Sequence, residues 1–583
     1  MSGEKEPFAA ALPRRRLLSN ALVTGLGFCT LPVWAKASAV LRLNQVHVNQ
    51  VGYLPDEPKR AVVALMKSLA NQTFHVVEEK TGVLRGSGDL TAAHRTGSNA
   101  QEQERIADFS ALRRPGRYRI RIADGTLSPP FAIGAAIYAD LFPLMESYFG
   151  IQQCGRQSSP LRRPCHLDDG IIRGGPRDEQ SCDASGGWHD AGDYLKFVET
   201  TSYAVGLMLL ACDLHPQLTA HPAGASSLSP LLVQARVGLD WLLKMHPTPQ
   251  EFYYQVGDKS DHDRWRLPET DSAAGRKSWH ARPVFFGIGA NLAGRSAAAF
   301  AMASRLYKRA DPAFAVRCLA AAKSVYQLGL KHPRPLSTQP HAFYPEESGD
   351  DDMEWGAAEL FKATRSPSYL RQALAFADEV DVAGEQVSVY TTNGLAHFAL
   401  YPHAAGEPRD NLLGYLKSDA DRMRRQSEGA YGLATPYVWG TAETATGVAL
   451  TCLLYAKLSG DKAAADVARR QRDYILGCNP FGLSCLIGAG TRFPQAPHHQ
   501  IAAIGKFQLN GGLIAGPASL EVFEEQDFSP KNLEYSVPSR QVASLDSAKV
   551  GIYQDSVHDF VTNEPALDYT SQFLLLTAFY LPA

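Results

Sequence analysis

The stretch GGWHDAGDYLKFV, residues 186 to 198, places two carboxylates three positions apart, at Asp190 and Asp193. Two acids at this spacing could cap a helix or bind calcium, since an isolated D-x-x-D motif has low specificity. The surroundings favour a catalytic pair. Glycine lets the backbone bring both carboxylates to one point, and the flanking Trp188 and Tyr194 offer flat rings on which sugars can lie. The stretch therefore predicts carboxylates that act on a carbohydrate.

A second acidic segment, YQDSVHDFVTNEPALDY, spans residues 553 to 569 and precedes the apolar run SQFLLLTAFYL. Its Glu564 lies among Asp555, Asp559 and Asp568. The alternative interpretation is a helix-start acid that interacts favourably with the helix dipole. Glycoside hydrolysis needs one carboxyl that is protonated and another that is ionised. Acids on these two separated segments fit that requirement if the fold brings them together.

A third group consists of Cys154, Cys165, His166 and His189. Two thiolates and two imidazoles make a closed tetrahedral zinc site, although their spacing is not that of a standard zinc finger. The alternative is a disulfide between Cys154 and Cys165 in an oxidising compartment. Because His189 adjoins Asp190, a metal here would tie the acidic stretch to the segment FGIQQCG, residues 149 to 155.

The elements that must position these residues fall into two parts. Residues 45 to 133 contain short strand-like segments separated by turn residues, among them RAVVALM (60 to 66), TFHVVEE (73 to 79) and GRYRIRIADG (116 to 125). In the last segment Tyr118, Ile120 and Ile122 alternate with arginines, which is typical of a strand with one buried face. This region predicts a small β-sandwich.

Residues 137 to 583 have helical periodicity and lack the alternating strands of a βαβ protein. Three helices should begin at Ser229-Pro230, Asp311-Pro312 and Ser366-Pro367, where a capping residue precedes proline. Trp241 lies on one apolar stripe and should be core. The loops at 151 to 200, 246 to 290 and 477 to 565 are long, and loops of that length are usually functional.

Residues 1 to 39 resemble an export signal. Arg14, Arg15 and Arg16 precede a weakly apolar run, and small residues in AKASA (35 to 39) could form a cleavage site. The pattern PRRRLLS favours the twin-arginine route over ordinary secretion, and we expect a periplasmic or secreted protein. A buried helix is the remaining alternative, and the triple arginine disfavours it. No later run approaches the roughly 18 apolar residues of a membrane span.

Charge and cysteine content limit the classes of partner. The chain has 58 Lys and Arg against 60 Asp and Glu, so it lacks the basic footprint of a nucleic-acid or anionic-membrane binder. Nine cysteines in 583 residues are too few for a disulfide scaffold. Cys212, Cys318 and Cys452 fall in apolar helical segments and should be buried. We expect a monomer with a neutral partner.

The segments WHDAGDY, DYILGCNPFG, PQAPHH and NEPALDY occur in this order and resemble the motif set of glycoside hydrolase family 9, the cellulase family. VNQVGYLPDEPKRAVV (48 to 63) is similar to the immunoglobulin-like domain that often precedes its catalytic domain. The resemblance implies an Ig-like β-sandwich at 45 to 133 followed by a mainly α (α/α)6 barrel at 137 to 583. It implies no organic cofactor.

The resemblance also implies roles for individual residues. Asp193 would be the general base, Asp190 would help to hold the attacking water, and Glu564 would be the general acid. His498 and Asp555 match the remaining active-site positions, where they would contact the sugar and orient charged neighbours. The family inverts the anomeric configuration, so the carboxyls of Asp193 and Glu564 should stand about 6.5 to 9.5 Å apart.

Sugar contacts and metals complete the expectations. We expect the substrate to contact Trp188, Tyr194, Trp439 and Tyr553. Trp279 and Trp355 could each stack on a sugar or pack in the protein core. Several family members resemble this chain at Cys154, Cys165, His166 and His189, which implies a structural zinc. Family members also often bind calcium. The run GDDDMEW (349 to 355) could supply ligands for it, although a solvated helix start is favoured.

The chain departs from the family pattern at three places. Gln500 replaces the arginine that usually follows PHH, Thr570 replaces an asparagine, and YVWGTAETATG around Trp439 differs from the usual WGSN. Three hypotheses follow. The first is an endo-β-1,4-glucanase acting on cellulose-type chains. The second is an exo-acting β-glucosidase or β-glucosaminidase on short oligosaccharides, and the third is a non-catalytic carbohydrate-binding protein, which predicts a missing acid or base.

Overall fold

The computed structural model describes residues 44–65, 67–91, 103–156, 159–219, 228–271, 281–379, 385–526, 534–535 and 551–582. The proposed export signal and Trp279 lie outside these ranges. Within them the chain forms a β-rich unit followed by a mainly helical one, which confirms the predicted fold class.

Eight strands are described in the N-terminal unit, which has one sheet of order β2-β8-β7-β4-β5 and another of order β1-β3-β6. They are β1 Gln45–His47, β2 Gly52–Tyr53, β3 Arg60–Leu65, β4 Thr73–Glu78, β5 Leu84–Asp89, β6 Gln103–Asp108, β7 Gly116–Ile122 and β8 Phe131–Ile133. The alternation predicted for β7 is confirmed: Tyr118, Ile120 and Ile122 are buried. Their side chains share a core with residues of both sheets, including Phe74 and Phe131.

Fifteen α-helices are described in the second unit. They are α1 Leu141–Gln152, α2 Val198–Leu214, α3 Pro230–Met245, α4 Lys259–Asp263, α5 Ala290–Leu306, α6 Pro312–Lys331, α7 Asp350–Thr364, α8 Pro367–Glu379, α9 Asn393–Leu400, α10 Glu407–Gln426, α11 Thr441–Ser459, α12 Lys462–Ile475, α13 Gln500–Gly505, α14 Leu520–Glu525 and α15 Leu567–Ala578. The predicted helix starts at Pro230, Pro312 and Pro367 are confirmed.

Six helices form a closed inner ring. Each contacts the next in the order α2, α5, α7, α9, α11 and α15, and α15 returns to α2. An outer helix packs on each of them: α3 on α2, α6 on α5, α8 on α7, α10 on α9, α12 on α11 and α1 on α15. Inner helices such as α2 and α5 are buried almost all round, as a helix surrounded by others must be. This arrangement is an (α/α)6 barrel.

In the described parts of the barrel loops there are seven short strands. They are β9 Ile171–Arg173, β10 Lys196–Phe197, β11 Tyr253–Val256, β12 Pro283–Phe286, β13 Ala518–Ser519, β14 Glu534–Tyr535 and β15 Gly551–Tyr553. They pair into one sheet of order β10-β11-β12-β9 and another of order β13-β15-β14. The two sheets lie within the long loops that the sequence predicted to be functional.

Polar contacts join the β unit to the barrel. The Asn49 amide donates to Asp473 Oδ1 at 2.8 Å. The Arg472 guanidinium makes a bidentate contact with Glu57, at 2.9 and 2.8 Å. Arg472 is also buried over the ring of Tyr138, with 4.7 Å between the guanidinium carbon and the ring centroid. The two units therefore share a desolvated, hydrogen-bonded interface.

The acidic run at 349 to 355 is the start of α7, as favoured over a calcium site, but it is not solvated. Asp352 is buried and receives two hydrogen bonds from Arg295, at 3.0 and 2.6 Å. Trp241, Trp355, Cys212, Cys318 and Cys452 are buried, so they are core residues. Of the helices that the structure describes, none combines the length and the apolar character needed to cross a membrane.

Candidate active site

Residues 186 to 195 carry the two aspartates predicted to be catalytic, and we call them the catalytic loop. This loop is anchored to the end of α1. The Cys154 amide donates to the Gly187 carbonyl at 2.9 Å, and the His189 amide donates to the Gln152 carbonyl at 2.8 Å. The Gln152 side chain donates to the carbonyl of Ala191 at 2.7 Å. Gly186 and Gly187 adopt left-handed conformations, with φ of 98° and 72°, which glycine accepts without steric cost. The loop is thus rigidly held although it is not helical.

Asp190 lies in this loop beneath the surface. Its carboxylate accepts hydrogen bonds from the hydroxyls of Thr200, at 2.6 Å, and Tyr344, at 2.7 Å. Burial raises the pKa of Asp190 well above the ordinary value, and the charges of Asp568 and Asp193 raise it further. The two hydroxyls that donate to the carboxylate shift the pKa in the opposite direction, because they stabilise its ionised form.

Asp193 is buried, and both oxygens of its carboxyl group have a contact. Its Oδ1 accepts from the Leu195 amide at 3.1 Å, and its Oδ2 lies 2.7 Å from His262 Nδ1. A carboxylate only accepts hydrogen bonds, so Nδ1 is the donor if Asp193 is ionised. These two contacts fix the orientation of the Asp193 carboxyl group.

Glu564 lies directly beside the catalytic loop, as the sequence predicted for an acid on the second segment. Its Oε1 accepts from the Gly192 amide at 3.1 Å, although the two residues are 372 positions apart. Its carbonyl accepts from the Ala515 amide at 2.9 Å. The contact brings Asp190, Asp193 and Glu564 into one site.

Gly192 has no room for a side chain. A Cβ placed there would lie 2.5 Å from the His498 carbonyl oxygen and 3.0 Å from Glu564 Oε1. The Gly192 carbonyl in turn accepts from the Gln500 amide at 2.9 Å. The catalytic loop is therefore pressed against both the segment of His498 and the segment of Glu564.

His498 and Asp555 also reach this site. His498 Nδ1 lies 2.7 Å from the Val557 carbonyl, so Nδ1 carries a hydrogen and Nε2 is the acceptor of a neutral ring. The Asp555 carboxylate accepts from the amides of Gln495, at 2.9 Å, and Ala496, at 2.9 Å. These contacts assign Asp555 to holding the segment that carries His498.

His499 connects the same segment to α1. Its Nδ1 accepts from the Ala502 amide at 3.3 Å, so its Nε2 donates to Gln152 Oε1, at 2.8 Å. Burial lowers the pKa of His499 well below the ordinary value, and the ring is neutral. Through Gln152 one neutral hydrogen-bond chain joins the catalytic loop to the histidine segment.

Three of the four expected sugar contacts are wrong. Trp188 is 0 % exposed and packs on Phe149, with ring centroids 5.8 Å apart. Tyr194 is 0 % exposed, and its hydroxyl donates to the Arg266 carbonyl. Tyr553 is buried as well, and its hydroxyl lies 3.0 Å from Asn563 Oδ1. These rings support the loops from behind, because packing against the barrel removes their faces from solvent.

A different set of rings borders the site at the surface. We call the aromatic row Trp265, His498, Phe560 and Trp439. Successive centroids are 5.0, 6.0 and 5.7 Å apart. Trp265 is 42 % exposed, and the other three are partly exposed. The expected sugar contact of Trp439 is therefore compatible with its partly exposed position.

The two residues that depart from the family pattern, Gln500 and Thr570, both make hydrogen bonds within the protein. Gln500 is buried, its Oε1 accepts from the Arg266 amide at 3.3 Å, and its Nε2 donates to the His262 carbonyl at 3.2 Å. Thr570 is buried, and its hydroxyl donates to the Ala566 carbonyl at 2.9 Å. Gln500 thus holds neighbouring backbone rather than facing a substrate.

The four proposed metal ligands converge behind the catalytic loop. One ligand atom from each of Cys154, Cys165, His166 and His189 lies within 4.8 Å of the others, and all four residues are buried. Cys154 Sγ is 3.6 Å from His166 Nδ1, and Cys165 Sγ is 3.9 Å from His189 Nε2. A tetrahedral zinc ion would put sulfur and nitrogen about 3.5 Å apart. Cys154 and Cys165 are not joined by a disulfide in the structure, so the alternative pairing is not formed.

The surroundings of this cluster suit a metal. Burial lowers the pKa of His189 to about 3, which favours the neutral imidazole that binds metals. His166 Nε2 lies 3.0 Å from Asp271 Oδ2, the carboxylate partner that typically orients a ligating histidine. The donor set and its outer contacts therefore fit zinc.

Sequence reasoning missed several residues of the site. His262 contacts Asp193, Tyr344 and Thr200 contact Asp190, and Gln152 supports the loop. The one signal for His262 was its place in the loop at 246 to 290, whose length indicated function.

Comparison with protein families gives two matches. The model of glycosyl hydrolase family 9 matches residues 138–577, and that of the cellulase N-terminal Ig-like domain matches residues 42–126. These ranges coincide with the helical and the β-rich units.

Individual proteins agree with the family matches. Endoglucanase D of Acetivibrio thermocellus is 26% identical over 481 residues, covering 78% of this chain and 74% of its own. A cellodextrinase of Butyrivibrio fibrisolvens is 26% identical over 522 residues, covering 83% of this chain and 92% of its own. The crystal structure of a metagenome-derived family 9 endoglucanase superposes with a TM-score of 0.79 at 27% identity, covering 93% of this chain and 99% of its own.

Proposed function

The chain belongs to glycosyl hydrolase family 9, and from that premise we propose that it is an endo-acting β-1,4-glucanase that hydrolyses cellulose-type chains with inversion. The observation that carries this proposal is the hydrogen bond between the Gly192 amide and Glu564 Oε1. It sets a third carboxyl beside the two of the catalytic loop. One acid and one base on opposite sides of a sugar are what single-displacement hydrolysis needs.

In the proposed reaction, Asp193 removes a proton from a water molecule as that water attacks the anomeric carbon. Glu564 gives its proton to the glycosidic oxygen as the bond from carbon to that oxygen breaks. Asp190 accepts a hydrogen bond from the other O–H of the same water and holds the water in line. His498, whose Nε2 is an acceptor in the neutral ring, would receive a hydrogen bond from a sugar hydroxyl at the cleavage point.

We further propose that the aromatic row binds the sugar chain. Sugar rings stack on flat aromatic faces, and Trp265 and Trp439 present such rings at either end of His498 and Phe560. Trp439 was already expected to contact the substrate from its sequence position. Trp265→Ala and Trp439→Ala should each raise KM on cellohexaose with a smaller effect on kcat.

The assignment of the acid and the base is tested by Glu564→Gln and Asp193→Asn. Each should reduce kcat on cellohexaose about 100-fold or more, since a positioned proton donor or acceptor contributes about 10² to 10⁴ in rate. Glu564→Gln should retain more activity on an aryl cellobioside with a good leaving group. Glu407→Gln, an exposed residue of α10, is the control. A parental rate for either variant on cellohexaose contradicts the corresponding assignment.

Endo and exo action are separated by the products. Endo cleavage lowers the viscosity of carboxymethylcellulose quickly relative to the release of reducing ends. The similarity to a cellodextrinase keeps exo action on short oligosaccharides as the second candidate. Release of monomer alone from cellohexaose, or faster turnover of chitosan oligomers, would favour an exo-glucosidase or glucosaminidase. The non-catalytic hypothesis predicted a missing carboxyl, whereas Asp190, Asp193 and Glu564 are all present.

We also propose that Cys154, Cys165, His166 and His189 bind a structural zinc ion. The metal would supply no step of the hydrolysis. It would cross-link the end of α1 to the residue before Asp190. Elemental analysis should find one zinc per chain, and Cys165→Ser should lower both the zinc content and the melting temperature. Protein purified without chelators that lacks zinc and melts normally would contradict the site.

The pattern in residues 1 to 39 supports export, and we propose domain boundaries of 45–133 for the Ig-like domain and 137–583 for the barrel. N-terminal sequencing should show that the exported protein begins at about residue 40. An exported protein that retains residue 1 would contradict a cleaved signal.

A further inference from the structure

Arg282 is a buried arginine that lies between the proposed zinc ligands and the catalytic loop. It immediately precedes β12 and belongs to none of the family motifs. The residue is only 7 % exposed. A guanidinium group carries five N–H donors in a fixed planar fork, so a buried one needs acceptors in several directions. Its acceptors therefore indicate what the residue holds in place.

One edge of the guanidinium binds Asp169. Arg282 Nε donates to Asp169 Oδ1 at 2.9 Å, and Nη2 donates to Oδ2 at 2.7 Å. Lys196 lies 2.9 Å from the same carboxylate and donates to the carbonyls of Ala184 and Gly186, at 2.7 and 3.1 Å. Burial raises the pKa of Asp169, but the charges of Arg282 and Lys196 outweigh it and lower that pKa to about 2. Asp169 is thus an ionised anchor that fixes the plane of the guanidinium.

The guanidinium also contacts the metal-ligand cluster and the catalytic loop. Its Nη2 lies 3.8 Å from Cys154 Sγ, and its Nη1 donates to the Tyr194 carbonyl at 2.5 Å. Cys165, the other cysteine of the cluster, has an arginine of its own, since Arg162 Nη2 lies 3.5 Å from its Sγ. Outer donors of this kind orient metal ligands and disperse their negative charge. Arg282 is the one of these two arginines that also reaches the catalytic loop.

The contact with Tyr194 reaches Asp193 through a single peptide group. The Tyr194 carbonyl and the Leu195 amide belong to the same planar unit. The Leu195 amide donates to Asp193 Oδ1 at 3.1 Å, while Arg282 holds the carbonyl on the other side of that unit. Hydrogen bonds in such a chain polarise one another, so a cation on the carbonyl strengthens the bond that the amide donates.

We propose that Arg282 is a positioning residue that couples the zinc site to the proposed base, because it contacts Cys154 on one side and the peptide that follows Tyr194 on the other. The inference rests on the proposed roles of Asp193 and of the zinc site. The catalytic loop is then tied to the cluster at two points, through the ligand His189 before the aspartates and through Arg282 after them. Arg282 takes no part in proton transfer, and it limits how far the Asp193 carboxyl group can move.

Loss of the guanidinium should weaken both ends of this chain of contacts. Arg282→Met keeps an apolar side chain in the buried space and removes every donor. We expect kcat on cellohexaose to fall about 10- to 100-fold, the usual effect of losing an outer contact of a metal site. Transfer of zinc from the holoenzyme to the colorimetric chelator pyridylazoresorcinol should be faster by a similar factor. KM should change less than kcat, since Arg282 is buried and acts on the base only through a peptide group.

Arg282→Lys separates positioning from the loss of a charge. A single ammonium group can stay paired with Asp169, but it lacks the planar fork that reaches three acceptors at once. We expect a melting temperature close to that of the parent, with kcat and the rate of zinc transfer between those of the parent and of Arg282→Met. Because it keeps the buried ion pair, this variant provides the test if Arg282→Met does not fold.

Arg305→Met is the matched control. Arg305 also binds two carboxyl groups, since it contacts Asp213 at 2.8 and 3.0 Å and Glu359 at 2.6 Å. Asp213 stands near the C-terminal end of α2, roughly 22 Å from the end that follows the catalytic loop. The control should lose stability as Arg282→Met does, yet it should keep the parental kcat and the parental rate of zinc transfer.

The outcomes separate the two ends of the proposed coupling. A zinc-loaded Arg282→Met enzyme with the parental kcat would refute the link to the base, and a parental rate of zinc transfer would refute the link to the metal site. A loss of kcat that Arg305→Met shares would assign the effect to lost stability. Parental values of both quantities in Arg282→Lys would refute the need for three simultaneous contacts.

Failure of the proposed function is recognised separately. A parental rate for Asp193→Asn would show that the proposed base is wrong, and a parent enzyme purified without zinc would remove the metal site, so either result also removes the coupling. An inactive Asp193→Asn together with a zinc-loaded and fully active Arg282→Met would refute only the role of Arg282.

Discussion

Replacing Gly192 with alanine tests the contact on which the active site depends. The added Cβ would lie 2.5 Å from the His498 carbonyl oxygen, 3.0 Å from Glu564 Oε1 and 3.2 Å from His499 Cα. Gly192 has no positive φ, so alanine meets crowding there and no backbone strain. The nearest obstacle is backbone, which cannot turn aside as the end of a flexible side chain can.

The size of the effect follows from these distances. Ordinary van der Waals contact begins at 3.4 Å, so the catalytic loop and the His498 segment must separate by about 0.9 Å. The His498 amide donates to the Asn563 carbonyl at 3.0 Å, so a shift of His498 also moves the residue before Glu564. A misplacement of about 1 Å costs about 100-fold in rate, or about 2.7 kcal/mol of transition-state stabilisation.

The assay is kcat on cellohexaose together with the melting temperature. Gly192→Ala should lose about 100-fold in kcat while remaining folded. Gly414→Ala is the matched control, because Gly414 lies in α10 with no atom within 4 Å of an added Cβ. The control should keep its activity and gain up to about 1 kcal/mol in stability. A Gly192→Ala enzyme with parental kcat and melting temperature would refute the close approach or the role of Glu564.

Two further predictions concern stability. Glu57→Gln should lower the free energy of unfolding by about 1.5 kcal/mol, because the buried Arg472 loses a charged bidentate partner but keeps its ion pair with Asp473 at 2.7 Å. Asp56→Asn, at an exposed position, should change it by less than about 1 kcal/mol, and equal melting curves for the two variants would contradict this view of the interface. Burial raises the pKa of Asp559 to about 6, so the folded state binds that proton more tightly and stability falls as pH rises from about 4 to 6. Asp559→Asn, which cannot ionise, should have a free energy of unfolding up to about 3 kcal/mol higher than that of the parent at pH 8 and equal to it at pH 4. A difference between the two proteins that is independent of pH would disprove this cause.

The sequence predicted the elements whose signals are local. Proline after a capping residue marked three helix starts because proline fits only the first turn, and alternation marked β7 because one face of a strand is buried. The motifs also identified Asp190, Asp193 and Glu564 as neighbours. Each of these inferences depends on residues close in sequence or on a shared motif.

The predictions failed where residues distant in sequence determine the position of a side chain. Trp188 stands next to the catalytic loop in sequence, yet Gly238 of α3 leaves a space that its ring fills. No feature of the loop itself indicates which side of Trp188 meets the barrel. His262 had no motif and lies on a five-residue helix, so its contact with Asp193 appears only once α4 is in place.

The hydrogen bond between Gly192 and Glu564 also has a consequence in time. The two residues are 372 positions apart, and the inner ring closes only when α15 reaches α2. At synthesis rates of about 5 to 20 residues per second, roughly 20 to 75 seconds separate the emergence of Asp193 from that of Glu564 at the ribosome. Throughout that interval the nascent chain carries the proposed base without the proposed acid, so on these assignments it gains hydrolytic activity only when its elongation is almost over.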